Sequence, residues 1–383
     1  MALLDLWKTN RGQLAEKHIQ QVIAIAGDGK LRDGSPASSE FRDFLRNVPS
    51  ELLAKYADEC LTESFPDSGL ALQDIVNEIG RRLDFQVIHG RYRGTSNQPG
   101  HDGLWSDATK HSIVVEVKTT DAYRIDLDSI AKYRQTLSGS GDLKLDASSM
   151  LVVVGRHDTG DLEAQIRGSR HAWDMRVISV DGLLRMLKLK EEVEEPTLIK
   201  RIHDILIPHE FTRLDPIIEI AFDVVADVRQ EPDNEADNDT PHKKKTTPVD
   251  FRDECVARIE KKLGVSLVKN TRATYGTADG TSKVCCATSK FHEREKRFWF
   301  AFHPYHKEFL ANGKQAFVAY GCGDADSLFL IPFGEFHPWL EYFQKTALPD
   351  RFYWHVKIKK TDNRFVITTR PGNKDFEITK YRV

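Results

Sequence analysis

The chain has 383 residues, 40% of them hydrophobic, with 55 Lys/Arg against 58 Asp/Glu and a net charge of −3. That length predicts two or three domains, and that balance excludes both a membrane-embedded protein and one that coats nucleic acid through overall charge. Any nucleic-acid contact must come from local basic patches, because salt confines surface fields to roughly 8–10 Å.

No run of about 18 apolar residues is present, so no transmembrane helix is predicted. The opening "MALLDLWKTN" carries Asp5 inside its apolar stretch and lacks a small-residue cleavage site, so no signal peptide is read. Five scattered cysteines make no disulfide framework. A cytoplasmic protein with reduced thiols is expected.

Residues 1–65 read as a helical region. Ala15, Ile19, Val22, Ile23 and Ala26 share one face of a first helix. Ser38 or Ser39 caps a second, with Phe41, Phe44, Leu45 and Val48 on its buried side. Pro49-Ser50 opens a third. "AGDGKL" is no phosphate loop: Ala24 stands at its first glycine and Leu31 at its Ser/Thr.

From residue 66 the pattern changes. "LALQDIVNEIGRRLDF" is an amphipathic helix whose stripe is Leu72, Ile75, Val76, Ile79 and Leu83. Strands follow at "FQVIHG", near Leu104–Trp105 and at 112–118. "RIDLDSIAKYRQTL" is a helix, and "SSMLVVVGR" is a strand buried on both faces. A helix in "DLEAQIRGSRHAW", the strand "MRVISV" and a helix from Leu183 complete the region. This order gives an α/β fold, a mixed β-sheet flanked by helices, over 66–190. Residues 191–228 read as a helical connector and 229–250 as a disordered linker rich in charge and proline. Residues 251–383 then form a separate β-rich α+β domain. Cys285-Cys286 with His292 and Cys322 lacks the spacing of a zinc site, so these cysteines read as core.

The strand "HSIVVEVKTT" carries the chemistry. Ile113, Val115 and Val117 point one way, while Glu116 and Lys118 share the opposite face with Val114. Asp102 stands about one hairpin earlier in "GHDG", giving Asp-(x13)-Glu-x-Lys. This pattern resembles the PD-(D/E)xK, restriction endonuclease-like superfamily, and the element order over 66–190 is similar to that family's core. His101 stands where the motif's name has proline.

The resemblance implies a metal-dependent endonuclease acting on DNA, most often in restriction or antiviral defence. A repair or junction-resolving nuclease is the alternative enzyme, and a catalytically silent DNA-binding module the alternative of another class. Asp102 and Glu116 would hold Mg²⁺, for which Mn²⁺ would substitute, with the Val117 carbonyl completing the inner shell. Lys118 would orient or help deprotonate the attacking water. Gln165, in "EAQIRGSR", matches a glutamine of the Mrr-like branch that faces the site, and Glu78 matches an added acidic ligand. Arg91, Arg93, Lys132, Arg134, Arg167 and Arg170 are candidate phosphate contacts. Cutting two strands implies a homodimer, formed through the N-terminal helices. Without a Walker motif, any ATP-driven step belongs to a partner ATPase.

In the last domain, residues 351–383 hold nine Lys/Arg against three Asp/Glu, with Tyr353 and Trp354 beside them. That combination suits base stacking and phosphate contact. Asp279 ahead of Thr288-x-Lys290 echoes the first motif without its second carboxylate.

Overall fold

The computed structural model describes residues 2–93, 100–119, 125–155, 160–193, 197–208, 251–293, 295–347, 352–361 and 364–383. The chain divides into two compact units, Met1–Glu231 and Pro232–Val383. The expected linker over 229–250, and 209–228 of the connector, lie outside the described residues.

The first unit opens with α1 (Ala2–Thr9), α2 (Arg11–Ala15), α3 (Ile19–Ile25), α4 (Pro36–Asn47) and α5 (Ser50–Thr62). The single helix expected through Ala15–Ala26 is two. His18 is extended, and the Ile19 N–H donates to Glu59 Oε2 of α5 at 2.6 Å, so a distant carboxylate starts a new helix there. The cap of α4 also moves upstream. Ser35 Oγ accepts from the Ser38 N–H at 3.2 Å, and Pro36 takes the first helical position.

Helix α6 (Ser68–Arg82) is buried nearly all round. Its apolar stripe packs as expected, yet Gln73, Asp74, Asn77 and Glu78 are buried too. The N-terminal helices cover the side that an amphipathic reading leaves to solvent. One hydrophobic core runs from Leu3 through α6 to Val153 of the sheet, so residues 1–65 and the α/β region share a core.

The sheet has the order β1 (Gln86–His89), β2 (Gly103–Ser106), β3 (Ser112–Lys118), β4 (Ser148–Val154), β5 (Met175–Ser179). The first three strands are antiparallel and the last three parallel. Helix α7 (Leu127–Ser140) crosses from β3 to β4, and α8 (Gly160–Arg167) from β4 to β5. These two helices cover the face carrying Val114, Val152 and Val154. Helices α6 and α9 (Val180–Glu192) cover the face carrying Ile113, Val115 and Val153. All seven residues of β4 are buried, as its unbroken apolar run requires. Each fully buried Val or Leu of this strand contributes about 1.5–3 kcal/mol. The face of Glu116 and Lys118 is therefore a second core, and these charges emerge only where β3 ends. A short helix α10 (Leu198–Leu206) follows α9. No described helix is long and apolar enough to cross a membrane.

The second unit begins with α11 (Arg252–Leu263), β6 (Val268–Lys269), β7 (Thr274–Gly276) and β8 (Ser282–Ser289). Next come β9 (Phe298–Phe302), α12 (Pro304–Ala311), β10 (Gln315–Cys322) and β11 (Leu328–Pro332). One sheet has the order β11-β10-β8-β7-β6. A second centres on β13 (Phe352–Thr361), with β9 along one edge and β12 (Lys345–Ala347) and β14 (Arg364–Thr368) along the other. The short β15 (Phe376–Glu377) pairs with β14.

The run α11-β6-β7-β8-α12-β10 repeats the topology of α6-β1-β2-β3-α7-β4: two antiparallel pairings, then a helical crossover to a parallel neighbour. The unit departs from it by inserting β9 and by an antiparallel β11. The expected residue echo is misplaced. Asp279 lies in the β7–β8 turn, accepting from Thr277 Oγ1 at 2.5 Å and the Thr281 N–H at 2.9 Å, at the far end of β8 from Thr288. Cys286 packs under α11 as Val115 packs under α6, so the face of β8 that corresponds to Glu116 carries Cys285 and Ala287 and no carboxylate. Cys285 and Cys286 fill separate apolar cores on the two faces of β8.

Candidate active site

Asp102 sits at the bend entering β2, and its backbone is tightly held. Its carbonyl accepts from the Gly90 N–H at 3.0 Å, Gln73 Nε2 at 3.0 Å and Asn77 Nδ2 at 2.9 Å. Its own N–H donates to the Val115 carbonyl at 3.0 Å. Two glycines permit this crowding. A Cβ on Gly103 would stand 2.1 Å from Asn77 Oδ1, and one on Gly90 would stand 1.9 Å from the His101 carbonyl oxygen.

The Asp102 side chain reaches across to β3, where Oδ2 accepts from the Val117 N–H at 2.6 Å. Strand geometry points the N–H and C=O of one residue to the same edge, so the Val117 carbonyl also faces past the start of β2. Glu116 is 7% exposed. Its Oε1 accepts from Lys118 Nζ at 2.6 Å, while its buried Oε2 meets no donor among the described residues. A buried carboxylate oxygen without a partner is costly to maintain.

The electrostatics follow. Burial first, and then the Glu116 carboxylate, push the Asp102 carboxyl up to about 7. Burial also raises Glu116 against the opposing pull of Lys118. For Lys118, burial acts downward, but Glu116 and Asp102 outweigh it and hold the ammonium above its ordinary value. Two carboxyl groups and one cation thus share a partly dry corner, with an excess of negative charge.

Beside this corner opens a cleft of about 200 Å³ lined by Glu116, Lys118, Ile125, Asp126, Ser129, Ile130 and Tyr133. Asp126 caps α7, accepting from the Ser129 N–H at 3.1 Å and Ser129 Oγ at 2.7 Å. Ser129 and Tyr133 continue the same helical face into the cleft. Sequence reading missed these two, although their spacing of four was visible. Gln165 does not enter the cleft. It donates to the Ile125 carbonyl at 2.6 Å and accepts from the Ile125 N–H at 3.1 Å, thereby fixing one wall.

Other expected residues have different tasks. Glu78 is no metal ligand in this arrangement: Arg81 Nη2 lies 2.6 Å and Arg82 Nε 2.8 Å from its Oε1, and Arg81 Nε donates to Oε2 at 2.8 Å. Burial would raise its pKa, but the two arginines more than reverse this and hold it low. Arg82 in turn donates to the carbonyls of Leu45 and Val48, so the cluster ties α6 to α4. Arg134 is likewise structural, bonded to Ser148 Oγ at 2.8 Å and the Leu145 carbonyl at 2.6 Å, and paired with Asp174 at 3.1 Å. Arg170 pairs with Asp128 at 2.7 Å in a largely exposed bridge of little energetic weight. Arg91, Arg93, Lys132 and Arg167 are exposed.

His18, Glu59 and Glu63 also cluster, at the start of α3. Glu59 is engaged there by the Ile19 N–H, so the cluster is a helix-start device.

No protein-family model matches the chain, and no curated protein matches its sequence.

Proposed function

We propose that the first unit is a metal-dependent endonuclease of the PD-(D/E)xK, restriction endonuclease-like class, acting on DNA. The observation that carries this reading is the meeting of Asp102, Glu116 and Lys118 at the end of β3, with a buried Glu116 oxygen lacking a partner. The donor set fits a hard divalent cation. Asp102, Glu116 and the Val117 carbonyl offer only oxygen, and a cation would offset the burial that raises both carboxyl groups and the Glu116 charge that adds to it at Asp102. Mg²⁺ held there would supply Lewis acidity toward a phosphoryl oxygen and a water of lowered pKa.

The chain's own groups divide the remaining work. Lys118, bonded to Glu116 beside the carboxylates, would orient or help deprotonate the attacking water and balance charge on a phosphate oxygen. Asp102 is positioned through its backbone, so its carboxylate needs no reordering. Tyr133, whose hydroxyl is electrostatically coupled to Glu116 and Lys118, lines the opposite wall with Ser129, whose own hydroxyl is held by Asp126. Gln165 acts at one remove by holding Ile125. Exposed Lys132 and Arg167 suit contacts to flanking phosphates.

The test is conversion of supercoiled plasmid to open circle by the purified chain with Mg²⁺ or Mn²⁺, and with EDTA. Equal loss of supercoil in EDTA, or none with either metal, overturns the proposal.

A further inference from the structure

The second unit carries an aromatic and basic face unrelated to the first unit's cleft. Along β13, alternation sends Trp354, Val356 and Ile358 into the core and Tyr353, His355 and Lys357 outward. Trp354 was expected to be exposed beside Tyr353, but it is 7% exposed and packs inward. Register places Trp299 of β9 opposite Lys357, and Thr346 of β12 opposite Tyr353. Directly paired residues lie on the same face, so these residues stand together.

They form an ordered surface. Trp299 Nε1 donates to His355 Nδ1 at 2.9 Å, and His355 Nε2 lies 2.7 Å from Thr346 Oγ1, which fixes the imidazole plane. The ring centroids of Trp299 and Tyr353 are 6.2 Å apart, and those of Tyr353 and His303 are 5.6 Å apart. His303 stacks on Tyr305 at 5.0 Å, with planes 15° apart. Cations continue the row. Lys357 and exposed Lys359 follow His355 on β13, and exposed Arg364 lies on the neighbouring β14. Burial lowers both His355 and Lys357; Lys357 and then Arg297 lower His355 further, and Arg297 lowers Lys357. Among the described residues, Glu295, paired with Arg297 at 2.5 Å, and Glu377 on β15 are carboxylates of these strands and their flanks.

We infer that this face binds single-stranded nucleic acid, with bases stacking on Trp299, Tyr353 and His355 and phosphates meeting Lys357 and Lys359. Partly exposed rings, locked in place and followed by cations, match what a splayed strand offers: π-faces and a repeating anion. A duplex hides its base faces, so the platform favours single strands. The inference is independent of the endonuclease reading of the first unit.

The experiment uses the full chain in EDTA, with fluorescence anisotropy of labelled oligo(dT), oligo(U) and a mixed-sequence duplex of equal length. Binding of either single strand more tightly than the duplex is expected, and the preferred sugar tells DNA from RNA. Tyr353→Ala should weaken single-strand binding by about ten-fold or more, Tyr353→Phe should restore it, and duplex binding should hold. Lys357→Ala should flatten the log–log salt dependence by about 0.7. If Trp299→Ala unfolds the unit, Tyr353→Ala and Lys357→Ala still decide. Failure of both single strands to bind, or wild-type binding by these two variants, overturns the inference. Plasmid cleavage is read separately, so either proposal fails alone.

Discussion

Replacing Asp102 by Asn should stabilise the metal-free protein at pH 8 and remove its response to Mg²⁺. The carboxyl is held near 7 by burial and by Glu116, against an unfolded value of about 3.9. A carboxyl with a raised folded pKa contributes full stability below its unfolded value, and that stability is lost as pH rises through about 7. At pH 8 the ionised group therefore costs the fold up to about 4 kcal/mol, which partial solvent contact reduces to about 2 kcal/mol. Asn keeps a side-chain oxygen to accept the Val117 N–H, now bonded at 2.6 Å, and brings no charge. For a unit of this size, 2 kcal/mol corresponds to a rise of about 4–8 °C in melting temperature. Calorimetry in EDTA at pH 4, 6 and 8 reads the effect, which should be near zero at pH 4 and grow with pH. Added Mg²⁺ should raise the melting temperature of the wild type alone. A variant that melts lower than wild type at pH 8 in EDTA, or one still stabilised by Mg²⁺, would mean that the Asp102 charge neither burdens the fold nor holds the cation.

Further outcomes follow from the same geometry. Arg82→Ala should destabilise the first unit by about 3–5 kcal/mol, measured by urea denaturation, because it strips a buried partner from Glu78. Gln165→Ala should cost about 1–2 kcal/mol through its two bonds to Ile125 and lower cleavage without changing DNA affinity. Tyr133→Phe should leave the melting temperature unchanged and slow single-turnover cleavage, since only its hydroxyl toward the cleft is lost. Metal-free wild type should lose stability from about pH 4 to pH 7, by up to about 1.4 kcal/mol per unit, seen as a falling melting temperature.

The order of elements from α6 to α9 was legible because each carries its own signal. The apolar run of β4, the cap at Asp126 and the spacing along α6 are local. The approach of Asp102 to β3 was legible as well, since a hairpin connects them in sequence. What could not be read depends on distant partners. Glu59 splits the expected first helix from forty residues away. Glu78 looked available to a metal until Arg82, itself fixed by carbonyls of α4, was placed against it. Arg134 resembled a surface cation because the turn carrying Leu145 and Ser148 folds back on α7, and Asp174 approaches only once β5 pairs with β4. Tyr353 and Trp354 differ only in strand parity, and the pairing of β9 with β13 decides which one faces out. In the second unit the topology was faintly audible, but only the packed faces show that β8 carries Cys285 and Ala287, and no carboxylate, on the side that corresponds to Glu116.

The most direct measurement of the central claim is single-turnover cleavage of a labelled DNA duplex by wild type and Lys118→Ala, with DNA affinity measured on the same samples in Ca²⁺. Lys118 Nζ bonds Glu116 at the mouth of the cleft and supports little packing, so the variant should fold and bind. The wild type should cleave in a Mg²⁺-dependent manner and the variant should lose at least about 100-fold in rate, with affinity changed by less than about three-fold. Cleavage by Lys118→Ala at the wild-type rate would contradict it.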